Sequence, residues 1–265
     1  MTTAASVTNR FCSSGLLAVQ NIANQIIAGS IDVGLAVGAE SMSGTPDDGA
    51  PKMGEQILNH PIASQNQQPM GQTSENVAGQ FSVTRQQMDA FAANSFQKAE
   101  KAQKEGWSID EIVPITVNFK DPKTGQVSRQ TISKDDGIRY GTTAESLGKI
   151  RAAFPQWAPS ATTGGNASQI TDGAAAILLM RRDKAEELGQ PIVGKFCGAT
   201  IVGLEPRIMG IGPSYAIPKI LGKVGLGVDD VDVFEINEAF ASMGVYCVEK
   251  LGLDPKKVNP RGGAM

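Results

Sequence analysis

Ser6-Val7-Thr8-Asn9-Arg10-Phe11-Cys12-Ser13-Ser14-Gly15-Leu16 carries the chain from a short extended stretch into a helix, and the pattern on either side of it decides the fold class. Leu16, Val19, Ile22, Ala23, Ile26 and Ile27 recur at helical spacing, and Gly29 supplies the stop. Ile31–Gly38 is short, largely apolar and ends at glycine, as expected of a strand buried on both faces. Strand, helix and buried strand in that order predict a βαβ unit and an α/β fold.

Downstream, the composition turns to Gly, Pro, Asn, Gln and Asp, so 44–79 reads as the start of a loop excursion. Order returns at Thr84, where Thr84-Arg85-Gln86-Gln87 has the form of a capping box. Met88, Phe91, Ala92, Ser95, Ala99 and Ala102 then trace one helix face up to Gly106. Ile109–Phe119 and Val127–Ser133 flank the turn residues Asp121–Gly125 and predict a hairpin. Ala174–Met180 is apolar and Arg181–Gly189 is helix-like. Ile192–Val202 and Val231–Ile236 read as strands, and Gly212–Lys223 and Glu238–Leu251 as helices. This organises the chain into a first region at 1–43 and 80–182, the excursion at 44–79, and a second region at 190–265. The strand-loop-helix around Asn237 echoes that around Cys12 and hints at related halves.

Composition narrows the function. The 265 residues carry 24 Lys+Arg against 27 Asp+Glu, a net charge of −3 that gives no basic footprint for nucleic acid. The 5% aromatic content gives no stacking platform either. The longest apolar run, Ala174–Met180, is far short of the ~20 residues of a membrane span. Three cysteines, at 12, 197 and 247, fit neither a disulfide framework nor a metal site, and a reducing compartment is expected. The single histidine, His60, sits in a polar stretch where solvation is the plainest role.

Cys12 stands where an extended stretch enters a helix, so first-turn amides and the helix dipole favour its thiolate, which can attack a carbonyl. A buried cysteine acting as a small hydrophobe is the competing reading. Cys197, on an expected strand, and Cys247, on an apolar helix, are expected to pack.

Asn9-Arg10-Phe11-Cys12-Ser13-Ser14-Gly15-Leu16 resembles the nucleophile motif of the thiolase family. Four further segments resemble that family's motifs in the same order: Gly38–Ser43, Pro69–Ala78, Gly165–Ala175 and Glu235–Ala241. The wording around Ile208–Pro213 and Asn259–Ala264 is most similar to the eukaryotic peroxisomal 3-ketoacyl-CoA thiolases. The resemblance implies a layered α-β-α-β-α fold, incomplete here, with an inserted loop region. It implies thiolysis of a 3-ketoacyl-CoA through an acyl-Cys12 intermediate, coenzyme A as substrate rather than bound cofactor, no metal, a homodimer or homotetramer, and a peroxisomal location.

By the same resemblance Asn237 holds a water in an oxyanion hole, although its type and place suit a helix cap equally. Arg139 would lie near the nucleotide phosphates, Ser146 and Ser168 near adenine and pantetheine, and Met70, Phe154 and Phe240 along the pantetheine tunnel. Taken without the resemblance, Arg139 is a solvated loop charge, the serines are turn formers, and the Met and Phe residues are core. The family's activating histidine and second cysteine belong to Gly-His-Pro and Cys-x-Gly segments beyond Met265, and its first strands precede Met1. Cys12 without those groups is expected to be severely weakened, because each general acid or base typically contributes about 100- to 10,000-fold. Apolar sheet faces are expected to be exposed. No targeting signal stands within the chain, which would be cytosolic if these ends are its natural ones. A non-catalytic thiolase-like protein that binds CoA or pairs with a complete subunit is the alternative, and a β-ketoacyl synthase a weaker third.

Overall fold

The computed structural model describes residues 3–45 and 52–265, so part of the expected excursion, 46–51, lies outside the described residues. The chain divides into two compact units. The first comprises Met1–Lys52, Ile170–Ile201 and Lys219–Leu226, and the second Met53–Gln169, Val202–Pro218 and Gly227–Met265.

In the first unit, helix α1 (Ser14–Ile27) leads into strand β1 (Val33–Glu40). Gly29 has the positive φ of +72° that a helix-ending glycine supplies. The expected βαβ unit is not formed. Residues 3–9 carry no strand, Val7 is fully exposed, and β1 pairs antiparallel with β4 (Gly173–Met180), from Val33 opposite Met180 to Glu40 opposite Gly173. Helix α6 (Arg182–Glu187) follows β4, anchored where Arg181 N–H donates to the Asp32 carbonyl.

α1 covers one face of this ribbon. A Cβ on Gly34 would meet the Ile22 side chain, Gly38 lies against Gly15, and Ala36 is buried. The other face is open, with Leu35 56% and its cross-strand neighbour Leu178 54% exposed. β1 is therefore buried on one face rather than two, because a two-stranded ribbon and one helix cannot enclose both. The expectation of exposed apolar sheet surface is met here. The far end of the ribbon is tied by Asp172, whose carboxylate accepts from Ser43 N–H at 2.8 Å and Ser43 Oγ at 2.5 Å. Those bonds hold the Asp172 carboxyl below its ordinary pKa.

The second unit is mainly helical. It contains α2 (Glu55–Leu58), α3 (Met70–Gln80), α4 (Arg85–Lys104), the hairpin β2 (Ile115–Lys120) and β3 (Val127–Ile132), α5 (Ala144–Gly148), the first part of α7 (Pro213–Val224), and α8 (Ala241–Leu251). The Thr84–Gln87 capping box is present: Gln87 N–H donates to Thr84 Oγ1, and Thr84 N–H donates to Gln87 Oε1. The hairpin closes through Asp121, whose Oδ1 accepts from Lys123 and Thr124 N–H. A core joins α4 and α8 through Met88, Ala92, Phe96, Ala241 and Val245.

Three further sequence-based expectations differ. Residues 70–80, read as irregular, form the helix α3, and its polar Thr73, Ser74 and Glu75 are buried. Ile192–Val202 forms no strand, having no ladder partner among the described residues. Val231–Ile236 is reduced to one parallel bridge, Phe234 to Val258, in which Phe234 N–H donates to the Lys257 carbonyl.

The buried face of α3 is mixed: Val77 and Ala78 pack into apolar clusters, while its polar residues meet the hydrogen-bonding demand of neighbouring segments. Glu75, fully buried, accepts from Ala161 N–H at 3.0 Å and Thr162 N–H at 2.7 Å. Ser74 Oγ bonds both Thr162 Oγ1 and Ser242 Oγ at 2.8 Å. Asn166 accepts from Thr163 N–H and donates to Asp89, which is ion-paired with Arg85 at 2.7 Å. Segment 161–166, apart from the exposed Gly164, is thus buried without belonging to a sheet. Replacing Glu75 by Ala strands two buried N–H groups and should lower unfolding stability by about 2–5 kcal/mol in urea titrations, against less than about 0.5 kcal/mol for exposed Glu55→Ala. Equal small losses at both positions would contradict this role for Glu75.

Candidate active site

Cys12 lies in the first unit, one residue past Phe11, whose φ of +47° is unusual for a bulky side chain and marks a tight turn. The turn is locked on both sides of the cysteine. Ser13 N–H and Ser14 N–H donate to the Arg10 and Phe11 carbonyls, and Arg10 N–H donates to Ser14 Oγ at 2.7 Å. α1 begins two residues after Cys12 and carries no side-chain cap, so N–H groups of its first turn are left for other acceptors. Cys12 is exposed. Its thiol is therefore open to solvent and not packed as a buried small hydrophobe.

The other proposed residues belong to the second unit. Asn237 is exposed and does not cap a helix, because α8 starts only at Ala241 with Phe240 at its N-cap. Both chain neighbours of Asn237 are buried and hydrogen-bonded. Asn259 Oδ1 accepts from Ile236 N–H at 2.7 Å, and Asn259 Nδ2 donates to the Ile236 carbonyl and, at 2.7 Å, to Glu238 Oε1. Glu238 Oε2 accepts from Ser95 Oγ at 2.6 Å.

Ser168 and Phe240 are brought together. Ala167 bridges Phe240, Ser168 N–H donates to the Ala239 carbonyl, and Ala241 N–H donates to the Asn166 carbonyl. Phe154 lies over Gly71, next in chain to Met70; its ring occupies the space a Gly71 Cβ would need. Ser146 is engaged in the cap of α5, donating to the Thr143 carbonyl and accepting from Thr143 N–H. Arg139 is exposed and bonds the Asp136 carbonyl of its own loop, which Gln169 Nε2 reaches through the Gly137 carbonyl at 2.5 Å. A cavity of about 320 Å³ between α4 and α8 is lined by Phe91, Ser95, Lys98, Glu238, Val245 and Val248 among others, and by none of the proposed CoA contacts. Burial lowers the Lys98 pKa there. His60 is exposed, and its Nδ1 accepts from Ile62 and Ala63 N–H, a local turn role.

Sequence reasoning passed over Ser95, Glu238 and Asn259. The signal was an acid set between Ile236 and Phe240, a place that calls for a buried partner. Cys197 also departs from expectation, being exposed and outside any strand. Cys247 is buried as expected, and desolvation pushes its thiol up to about 12. Native protein treated with iodoacetamide near pH 8 should therefore alkylate at Cys12 and Cys197 and be spared at Cys247 by peptide mass mapping. Equal modification of all three would contradict the burial of Cys247.

The sequence profile described as thiolase, N-terminal domain, matches residues 1–183, and that of thiolase, C-terminal domain, matches 190–265. The peroxisomal 3-ketoacyl-CoA thiolase of Homo sapiens is 53% identical over 261 residues, covering 98% of this chain and 61% of that protein. The peroxisomal 3-ketoacyl-CoA thiolase B of Rattus norvegicus is 52% identical over 260 residues, with 98% and 61% covered. Among solved structures, the dimeric peroxisomal thiolase of Saccharomyces cerevisiae superposes with a TM-score of 0.87 at 49% identity, over 97% of this chain and 64% of that one. The acetyl-CoA acetyltransferase of Syntrophomonas wolfei gives 0.80 at 34% identity, over 96% and 66%. The chain spans about three fifths of the length of the curated relatives it matches. It has the layered α/β fold of these proteins over the part it covers, and it belongs to the thiolase family.

Proposed function

We propose that the protein carrying this chain is a 3-ketoacyl-CoA thiolase, an acyltransferase of fatty-acid β-oxidation. The observation that carries this is identity above 50% to peroxisomal 3-ketoacyl-CoA thiolases across nearly the whole chain. These relatives are thiolases or, in one case, an acetyltransferase, which favours the enzyme over the non-catalytic alternative.

The reaction asks for a thiolate at Cys12. It adds to the keto carbon of a 3-ketoacyl-CoA, placing negative charge on oxygen. Collapse of that adduct breaks the bond between carbons 2 and 3. The departing two-carbon fragment takes a proton to become acetyl-CoA, and the acyl group stays on Cys12 as a thioester. The thiol of a second CoA loses its proton and attacks the thioester, and the Cys12 thiolate leaves. A thiolate suits both steps, being a soft nucleophile and a good leaving group near neutral pH. The exposure of Cys12 and the uncapped start of α1 support its role.

Asn237 is the proposed oxyanion contributor, with a side chain left exposed while its neighbours are tied down. For CoA, the exposed Arg139 suits the phosphates, and Ser168, Met70, Phe154 and Phe240 line the pantetheine path. Ser146 assists through its loop, since its hydroxyl is committed to the cap. A homodimer or homotetramer and a peroxisomal location are part of the same proposal, suggested by the dimeric yeast structure and by the peroxisomal relatives.

Incubation of the active protein with a 3-ketoacyl-CoA and no free CoA should add the acyl mass to the Cys12 peptide, and Cys12→Ala should remove both adduct and turnover. Asn237→Ala should lower kcat by about 100- to 1,000-fold. Full turnover in Cys12→Ala would defeat the proposal.

A further inference from the structure

Asn237 has no hydrogen bond through its own side chain among the described residues, yet the residues on either side of it are among the most tightly held in the second unit. Glu238 is 2% exposed, and its carboxylate accepts three hydrogen bonds: from Ser95 Oγ at 2.6 Å, Asn259 Nδ2 at 2.7 Å and Met265 N–H at 3.3 Å. Asn259, also 2% exposed, sits at a φ of +43° and uses its amide to serve the N–H and carbonyl of Ile236 as well as Glu238. Ser95 on α4 completes the ring, accepting from Gly263 N–H at 2.9 Å while donating to Glu238. Gly263 is required here, because a Cβ would fall inside the Glu238 carboxylate. Three chain segments, around 95, 236–238 and 259–265, therefore meet at one carboxylate.

We propose that Glu238, clamped by Ser95 and Asn259, is a positioning residue that fixes the direction in which Asn237 presents its amide. The clamp holds the Ile236 backbone on one side of Asn237 and the Glu238 side chain on the other, so the amide is aimed before substrate arrives. Glu238 is not a proton carrier in this role. Its two oxygens are occupied as acceptors, and burial keeps it from solvent. A carboxylate is needed because all three of its partners donate. A glutamine would present an N–H group where one of them requires an acceptor. The inference rests on the reading of Asn237 as an oxyanion contributor, and misaiming such a group by about 1 Å can cost on the order of 100-fold.

The test is a double-mutant cycle on the thiolysis-competent protein, with Glu238→Gln, Asn237→Ala and the pair, alongside thermal melts. Glu238→Gln should lower kcat by about 10- to 100-fold with KM changed less than about twofold and the pH profile keeping its limbs. In the Asn237→Ala background the same change should lower kcat less than about threefold further, since a group that acts through Asn237 has nothing left to aim. Ser95→Ala, which removes one clamp bond, should show a smaller loss with the same dependence on Asn237, and it carries the test if Glu238→Gln fails to fold. A full multiplicative loss in the double variant overturns the proposal while leaving the thiolase reading intact. A lost pH limb in Glu238→Gln overturns it in favour of proton transfer. An unimpaired Asn237→Ala overturns both the proposal and the role of Asn237.

Discussion

Buried backbone that belongs to no helix or sheet must find its hydrogen bonds in side chains, and the second unit is organised around that demand. Segments 161–168 and 234–240 alternate buried residues with the exposed Gly164, Glu235 and Asn237, and carry isolated bridges instead of ladders. Each orphaned N–H or carbonyl there would cost about 1–3 kcal/mol if left unmet. Glu75 serves Ala161 and Thr162, Asn166 serves Thr163, and Asn259 serves Ile236. These residues lie in the segments that resemble thiolase motifs, so much of that wording encodes backbone support rather than chemistry. Asn237 and Ser168, the proposed oxyanion and CoA residues, sit on the supported segments.

The two units solve their packing differently. The second encloses Met88, Ala92 and Ala241 between α4 and α8. The first covers one face of a two-stranded ribbon and leaves Leu35 and Leu178 open to solvent. An isolated pair of strands is marginal in water. The turn that carries Cys12 is nevertheless held by hydrogen bonds among Arg10, Phe11, Ser13 and Ser14, and is shaped before any neighbour covers the ribbon.

The features legible in the sequence were local. The Thr84–Gln87 box, the Gly29 stop and the Asp121 turn depend on residues within a few positions, and the structure has all three. The place of Cys12 at a helix entrance was legible too, whereas its role as nucleophile rests on the motif it resembles. α3 was missed because Thr73, Ser74 and Glu75 look like loop residues until segment 161–166 is laid against them. Ser95 and Glu238 were missed for the same reason, their partners being 143 residues apart. Ile192–Val202 has strand-like composition, but composition does not supply the second strand that a ladder needs.

Hydrogen exchange of the native protein addresses the central constraint most directly. The amides of Thr162 and Ile236, outside any helix or strand, should exchange only through global unfolding, as slowly as those of core helix α4. Exchange at these two amides at the rate of the exposed 121–126 turn would contradict the account.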